Sequence, residues 1–164
     1  MATVVDKKQV IGELRGRLRE RLSALTAAQG AAQSGAVHAE TRQEDPKDTR
    51  AIEATYLARG LAERVETLRN DIAAVGSMEP RVFAPDDSVA LGALLGLEEA
   101  EGDEVVYFLA PCGGGERLAV DGVAVQVLTP TSPLGSALID KSAGEEVDIH
   151  LPARRLQALI TWIA

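Results

Sequence analysis

Apolar residues between positions 51 and 75 fall at Ala51, Ala54, Ala58, Leu61, Val65, Leu68, Ile72 and Val75, in steps of alternately three and four. That spacing keeps one stripe of a helix facing a partner helix and predicts an unbroken coiled-coil seam. An earlier stretch repeats the pattern less regularly, with Ile11, Leu14, Leu18, Leu25, Ala28 and Ala32 on the stripe. Arg21 interrupts it there and Leu22 sits beside it. Between the two stretches lies Glu44-Asp45-Pro46-Lys47-Asp48-Thr49, where Pro46 disfavours a helical Asp45 and lets the chain reverse. The pattern therefore predicts an antiparallel coiled-coil hairpin over residues 1–76, with an acidic tip near 44–48. Two helices of roughly 30 residues would make a rod about 45 Å long. Alanine dominates both seams near the tip, so the rod is expected to be slimmest there.

Asp6 is placed to cap the first helix, and Gly76 to sit just past the end of the second. Residues 27–39 are rich in Ala, Gly and Gln; Gly30 and Gly35 each weaken a helix by about 1 kcal/mol relative to Ala. Fraying is expected there. Residues 77–81 read as a linker and 82–164 as a second domain. Within it, 104–110, 123–128, 147–151 and 156–163 read as strands bounded by Gly, Pro and Ser. The run 89–97 is ambiguous between a strand and a short helix. Ser132-Pro133-Leu134 and the residues after it read as a turn leading into a short amphipathic helix. The fold class is α+β, a helical hairpin followed by an antiparallel sheet with one short helix.

Charge separates the two halves. Residues 1–76 hold 12 Lys and Arg against 11 Asp and Glu, whereas 77–164 hold 5 against 14, so the net charge of -8 comes from the second half. Such acidity speaks against nonspecific binding of duplex nucleic acid by that half and suits docking on a basic protein surface. Aromatic residues make up 3%, too few for a single-strand stacking platform. The single cysteine, Cys112, excludes an internal disulfide, and no Cys and His cluster offers a zinc site. Without an 18-residue apolar run or a signal-peptide pattern, the expectation is a cytoplasmic protein with no membrane partner.

Candidate chemistry gathers at three places. Glu44, Asp45 and Asp48 at the tip read either as caps and dipole partners of the second helix or as an open site for a divalent cation that takes further ligands from a partner. The Arg15-to-Arg21 strip, with Arg17 and Arg19, reads as a solvated helix face or as a track for RNA or an acidic partner. Pro111-Cys112-Gly113-Gly114-Gly115-Glu116 lacks the Gly-Lys-Ser/Thr of a phosphate loop and reads as a flexible hairpin connection.

The segment Thr131-Ser132-Pro133-Leu134-Gly135-Ser136-Ala137-Leu138-Ile139-Asp140-Lys141, with Gly144-Glu145-Glu146-Val147-Asp148-Ile149 and a closing strand after it, resembles the C-terminal domain of the bacterial GreA/GreB transcript cleavage factors. The 47–60 phrase is similar to a Gre-like proteobacterial branch of that family. The resemblance implies an FKBP-like C-terminal domain and a hairpin that enters the secondary channel of RNA polymerase. It implies a regulatory protein that is not itself an enzyme, acting on the polymerase's own RNA cleavage. Tip acids, an Asp and a Glu three residues later in the family, would share Mg2+ with the polymerase and position water; the matching positions are Asp45 and Asp48, with Glu44 beside them. No ion is expected to bind stably to the chain alone. Ser132, Pro133 and Leu134 match the loop that docks on a coiled coil of the largest polymerase subunit. By the same resemblance the nascent RNA 3′ end would be met indirectly, with Arg15, Arg19 and Arg42 as the candidates to face it, and DNA only through the polymerase complex.

The second acid here is Asp, one methylene shorter than Glu. Pro46 stiffens the turn, and Thr49-Arg50-Ala51-Ile52 stands where the family has Asn-Ala-Glu-Tyr. A channel binder that inhibits without stimulating cleavage is the alternative these departures keep open. A prolyl isomerase or chaperone would need a more aromatic pocket than Phe83, Tyr107, Phe108 and Trp162 provide, and a plain coiled-coil scaffold would make the tip acids dispensable.

Overall fold

In the computed structural model, residues 5–41, 49–100 and 102–164 are described. Contacts divide the chain into two units, one joining the residues up to Gly16 with Ala74–Ala164, the other formed by Arg17–Ala73.

Helix α1 spans Lys7–Thr41 and helix α2 spans Thr49–Gly76. Asp6 caps α1 as its position suggests, its Oδ1 accepting from the Lys8 N–H at 2.9 Å while its carbonyl accepts from Val10 at 3.0 Å. On α2 every position of the predicted seam is buried or half-buried, from Ala51 to Val75, and the residues between are mostly polar beyond Leu57. On α1 the inward residues are Val10, Leu14, Leu18, Leu22, Leu25, Gln29, Ala32 and Ala36. Three consecutive steps of four precede the alternation, a stutter that moves Leu22 onto the stripe and leaves Arg21 and Ala28 exposed. Arg21 thus marks a phase shift of the seam.

The helix does not stop at Gly30 or Gly35; it runs on to Thr41. Gly76 is the last residue of α2 and lacks the left-handed conformation expected of a helix-terminating glycine. The Ser77 hydroxyl donating to Ala74 O at 2.9 Å and Met78 N–H donating to Val75 O at 3.1 Å close that end. Within the second unit, Arg21, Ala24, Leu25 and Ala28 line one groove of about 630 Å3 with Arg64, Thr67, Leu68 and Asp71. Farther along, Ser34, Ala36 and Val37 share another of about 480 Å3 with Thr55 and Ala58. Later residues of α1 face earlier residues of α2, as an antiparallel hairpin requires.

The C-terminal part is a six-stranded sheet in the order β3-β4-β2-β1-β6-β5. Its strands are β1 (Leu94–Glu99), β2 (Glu104–Leu109), β3 (Arg117–Val120), β4 (Val123–Leu128), β5 (Glu146–His150) and β6 (Arg155–Ile163); helix α3 is Pro133–Leu138. The ambiguous 89–97 run resolves into β1. The sheet is not wholly antiparallel as expected: β2 and β4 pair in parallel, Val106 opposite Val125. The chain leaves β2, forms edge strand β3, and turns back at Asp121-Gly122 so that β4 enters the slot beside β2.

Strands β1 and β2, paired on both edges in the middle of the sheet, are buried on both faces over Leu94–Leu97 and Val106–Leu109. One face gathers Leu95, Leu97, Tyr107, Leu109, Ile149, Leu156 and Ile160 against Phe83, Val89, Leu134 and Leu138. The residues between them, Leu94, Val106 and Phe108, are buried on the other face together with Leu118, Val125 and Val127. Strand β6 carries one extra residue opposite Gly96, a bulge that sets both Thr161 and Trp162 beside that glycine. Both donate to Glu104 on β2, Thr161 Oγ1 at 2.7 Å and Trp162 Nε1 at 3.2 Å.

Candidate functional site

The acids Glu44, Asp45 and Asp48, together with Arg42, lie outside the described residues. The structure brackets them between Thr41 at the end of α1 and Thr49 at the start of α2. On the adjoining half of the hairpin four large apolar side chains stand exposed: Val37 (61%), Ile52 (50%), Tyr56 (70%) and Leu57 (60%). Among the described residues no group of three or more His, Cys, Asp or Glu is placed to hold a metal ion.

The loop expected to dock on a partner is built around Ser132. Its extended backbone (φ -71°, ψ 152°) starts α3, Pro133 takes the first helical position, and the Gly135 N–H donates to Ser132 Oγ at 3.0 Å. The same hydroxyl donates to Thr129 O at 2.8 Å, so both of its roles are used. A Cβ on Gly135 would lie 2.0 Å from Thr129 O, which makes glycine obligatory there. At the other end, Asp140 turns through a φ of 65° and its N–H donates to Val89 O at 3.0 Å, while Val89 N–H donates to Lys141 O at 2.7 Å.

Of the three expected docking residues, Pro133 is exposed, Ser132 is half-buried as the cap, and Leu134 is 8% exposed in the core. The motif therefore presents Pro133 and the exposed Ser136 beside it, while Ser132 and Leu134 hold that surface in place.

The arginine strip divides likewise. Arg15 is half-buried, its Cδ and Nη1 3.6 Å from where a Cβ on Gly76 would stand. Arg17 lies 4.0 Å from Glu20, and Arg19 is exposed. The Pro111–Glu116 segment is not the flexible connection expected. A Cβ on Gly113, at φ 78°, would come 2.8 Å from Leu14 Cδ1, so this loop is a seat for the first turns of α1.

Two features escaped the sequence reading. A cavity of about 550 Å3 lies over Glu98, Glu99, Glu146 and Asp148 at the β1, β6 and β5 end of the sheet. Arg154 grips Glu99 through two bonds of 2.7 and 2.9 Å, and that hydrogen bonding holds the Glu99 carboxyl below its usual value. Arg155 does the same to Asp148, whose carboxyl is lowered to about 2. The second feature lies at the base of α1, where Lys7 and Arg81 both sit over the Phe83 ring, each 4.4 Å from its centroid.

Residues 84–164 match the family described as transcription elongation factor, GreA/GreB, C-terminal domain. A curated relative, the transcription elongation factor GreA of Syntrophus aciditrophicus (strain SB), is 32% identical over 90 residues, covering 54% of this chain. The match spans about half of that relative's length, 52%. Among solved structures, the GreA factor homolog 1 (Gfh1) protein of Thermus thermophilus is 17% identical with a TM-score of 0.38, the alignment covering 92% of this chain and 94% of that one. A GreA/GreB factor from Nitrosomonas europaea is 18% identical, also with a TM-score of 0.38, over 63% of this chain and 91% of its own. The sequence match falls on the strands and the Ser132-capped helix described above, so that residues 84–164 are similar to the C-terminal domain of the GreA/GreB family.

Proposed function

We propose that this chain is a transcription elongation factor that binds bacterial RNA polymerase, inserts its hairpin into the secondary channel, and brings Asp45 and Asp48 to the polymerase active centre to promote cleavage of backtracked RNA. The family match over residues 84–164 carries the reading. A pair of antiparallel helices joined by a segment whose sequence contains Glu44, Asp45 and Asp48, with Ile52 and Tyr56 exposed at the start of the second, supports it. In this reading the C-terminal domain docks through the surface that Pro133 presents.

The tip carboxylates are hard oxygen donors of the kind Mg2+ takes one or two at a time, and such an ion supplies charge stabilisation at the phosphodiester undergoing hydrolysis. Asp45 and Asp48 would hold and orient water there, the remaining donors coming from the polymerase. Two or three acids within five residues of sequence make no complete two-metal site, so the isolated chain is expected to hydrolyse no RNA.

A second reading, a channel binder that inhibits cleavage, is favoured by the shorter Asp48 and the stiffer Pro46. One experiment separates them: cleavage of the RNA 3′ end in a stalled, backtracked elongation complex, with the native chain and with Asp45→Asn/Asp48→Asn. Stimulation lost in the double variant supports the first reading. Competition with a genuine cleavage factor, without stimulation, supports the second. Absence of any polymerase binding refutes both.

A further inference from the structure

Lys7 and Arg81 form an unusual pair. Lys7 Nζ donates to Arg81 O at 2.5 Å, and both cations share the Phe83 ring, itself 8% exposed. Neither cation has a carboxylate at ion-pair distance among the described residues. The nearby acids face elsewhere: Asp6 Oδ1 accepts from Lys8 N–H and Asp87 Oδ2 from Ala84 N–H, both at 2.9 Å. Two like charges thus share one ring, with no carboxylate neutralising either of them among the described residues.

The cations are not equivalent. A guanidinium keeps its proton, whereas a desolvated ammonium beside another cation readily gives its proton up and becomes a nucleophile. Half-burial, and then the charge of Arg81, lower Lys7 to about 8. A guanidinium able to receive an anion thus shares the Phe83 ring with an amine that gives up its proton more readily than a free lysine, at a surface where Arg81 is exposed and Lys7 half-exposed.

We propose that Lys7 is a site of N-acylation by acyl phosphates, with Arg81 holding the phosphate while the Lys7 amine attacks the acyl carbonyl carbon. The C–N bond forms as the bond from carbon to the phosphate oxygen breaks. The amine's proton passes to solvent and inorganic phosphate leaves; nothing is oxidised or reduced. The product is a neutral amide that removes one cation from Phe83 at the base of α1.

The chain provides its own controls, since Lys8, Lys47 and Lys141 are the only other lysines. The full chain is treated with acetyl phosphate between pH 6.5 and 9, and acetylation at each lysine is followed by peptide mass spectrometry. At pH 7.5 Lys7 is expected to react roughly tenfold or more faster than Lys8, because each unit by which a lysine is lowered raises its free-amine fraction about tenfold. Arg81→Gln should slow Lys7 more towards acetyl phosphate than towards a neutral ester such as p-nitrophenyl acetate. Equal rates at Lys7 and Lys8 overturn the proposal, and so does equal slowing towards both donors in Arg81→Gln.

Discussion

Replacing Gly135 by Ala sets two effects of opposite sign against each other. Gly135 lies inside α3 with ordinary helical backbone, and alanine is the better helix former by about 1 kcal/mol. Propensity alone therefore says that Gly135→Ala stabilises. The packing says otherwise: the new Cβ would stand 2.0 Å from Thr129 O and 2.8 Å from Ser132 Oγ. Van der Waals contact needs the carbon and the carbonyl oxygen to separate by about 1 Å more, and neither belongs to a flexible side chain.

That displacement pulls apart the Gly135 N–H to Ser132 cap and strains the Ser132 to Thr129 bond. The cap and the second hydrogen bond contribute about 1 kcal/mol each, and partial withdrawal of Leu134 and Leu138 from the core costs about another 1. Subtracting the propensity gain leaves a net loss of about 2 kcal/mol. Trp162 is the only tryptophan and sits on β6 of the same sheet, so urea unfolding followed by its emission reports on this domain. With a urea slope of about 1–2 kcal/mol/M the midpoint should fall by about 1–2 M. A midpoint that stays put or rises would show that the 129–135 turn yields freely and that the steric argument is wrong.

Gly30→Ala and Gly35→Ala are the same chemical change with the opposite expected sign. A Cβ at either site meets nothing within 4 Å, so each should raise hairpin stability by about 0.5–1 kcal/mol, read as a later loss of helical circular dichroism on heating. In Gly96→Ala the new carbon would lie 2.4 Å from Trp162 Nε1, displacing the indole from Glu104; a red-shifted emission and a loss of about 1–3 kcal/mol are expected, and an unchanged spectrum would contradict the packing. Asp148 is depressed in the folded state chiefly by its hydrogen bonds to Arg155, so its contribution is complete above the unfolded value near 3.9 and is lost as pH falls through about 2. The Asp148 carboxyl carbon should titrate near 2 by NMR and move up towards the ordinary value in Arg155→Gln; a midpoint near 4 in the native chain would dispose of the pairing.

The seam of α2 could be read from sequence because its three-four alternation never slips. The seam of α1 could not be read fully, because a stutter at Leu14, Leu18 and Leu22 looks like an interruption until the buried face is seen. Strand β3 was not found: Arg117-Leu118-Ala119-Val120 is four residues with two apolar positions, too short for periodicity to separate from a turn. The parallel β2–β4 pairing is a long-range choice with no local signature. Ser132-Pro133 announced its helix, whereas the need for glycine at 135 arises from a carbonyl six residues earlier in the chain. Tri-glycine at 113–115 suggested freedom, but Gly113 is small because Leu14 packs on it. For the tip, sequence supplied the carboxylates and their order, and their geometry lies outside the described residues. Lys7, Arg81 and Phe83 are separated by more than 70 residues at their widest, which is why no motif search joins them.

The strand order also sets a timetable for biosynthesis. Strand β6 lies between β1 and β5, yet about 55 residues separate the end of β1 from its start. At the usual 5–20 residues per second, the Leu94-Leu95-Gly96-Leu97 run waits about 3–11 s for its second neighbour. β5 has no place to pair until then. The hairpin closes through nearer contacts and has no such delay. A nascent chain therefore spends those seconds with an apolar strand edge unpaired, the kind of edge on which another chain or a chaperone can act, until β6 arrives.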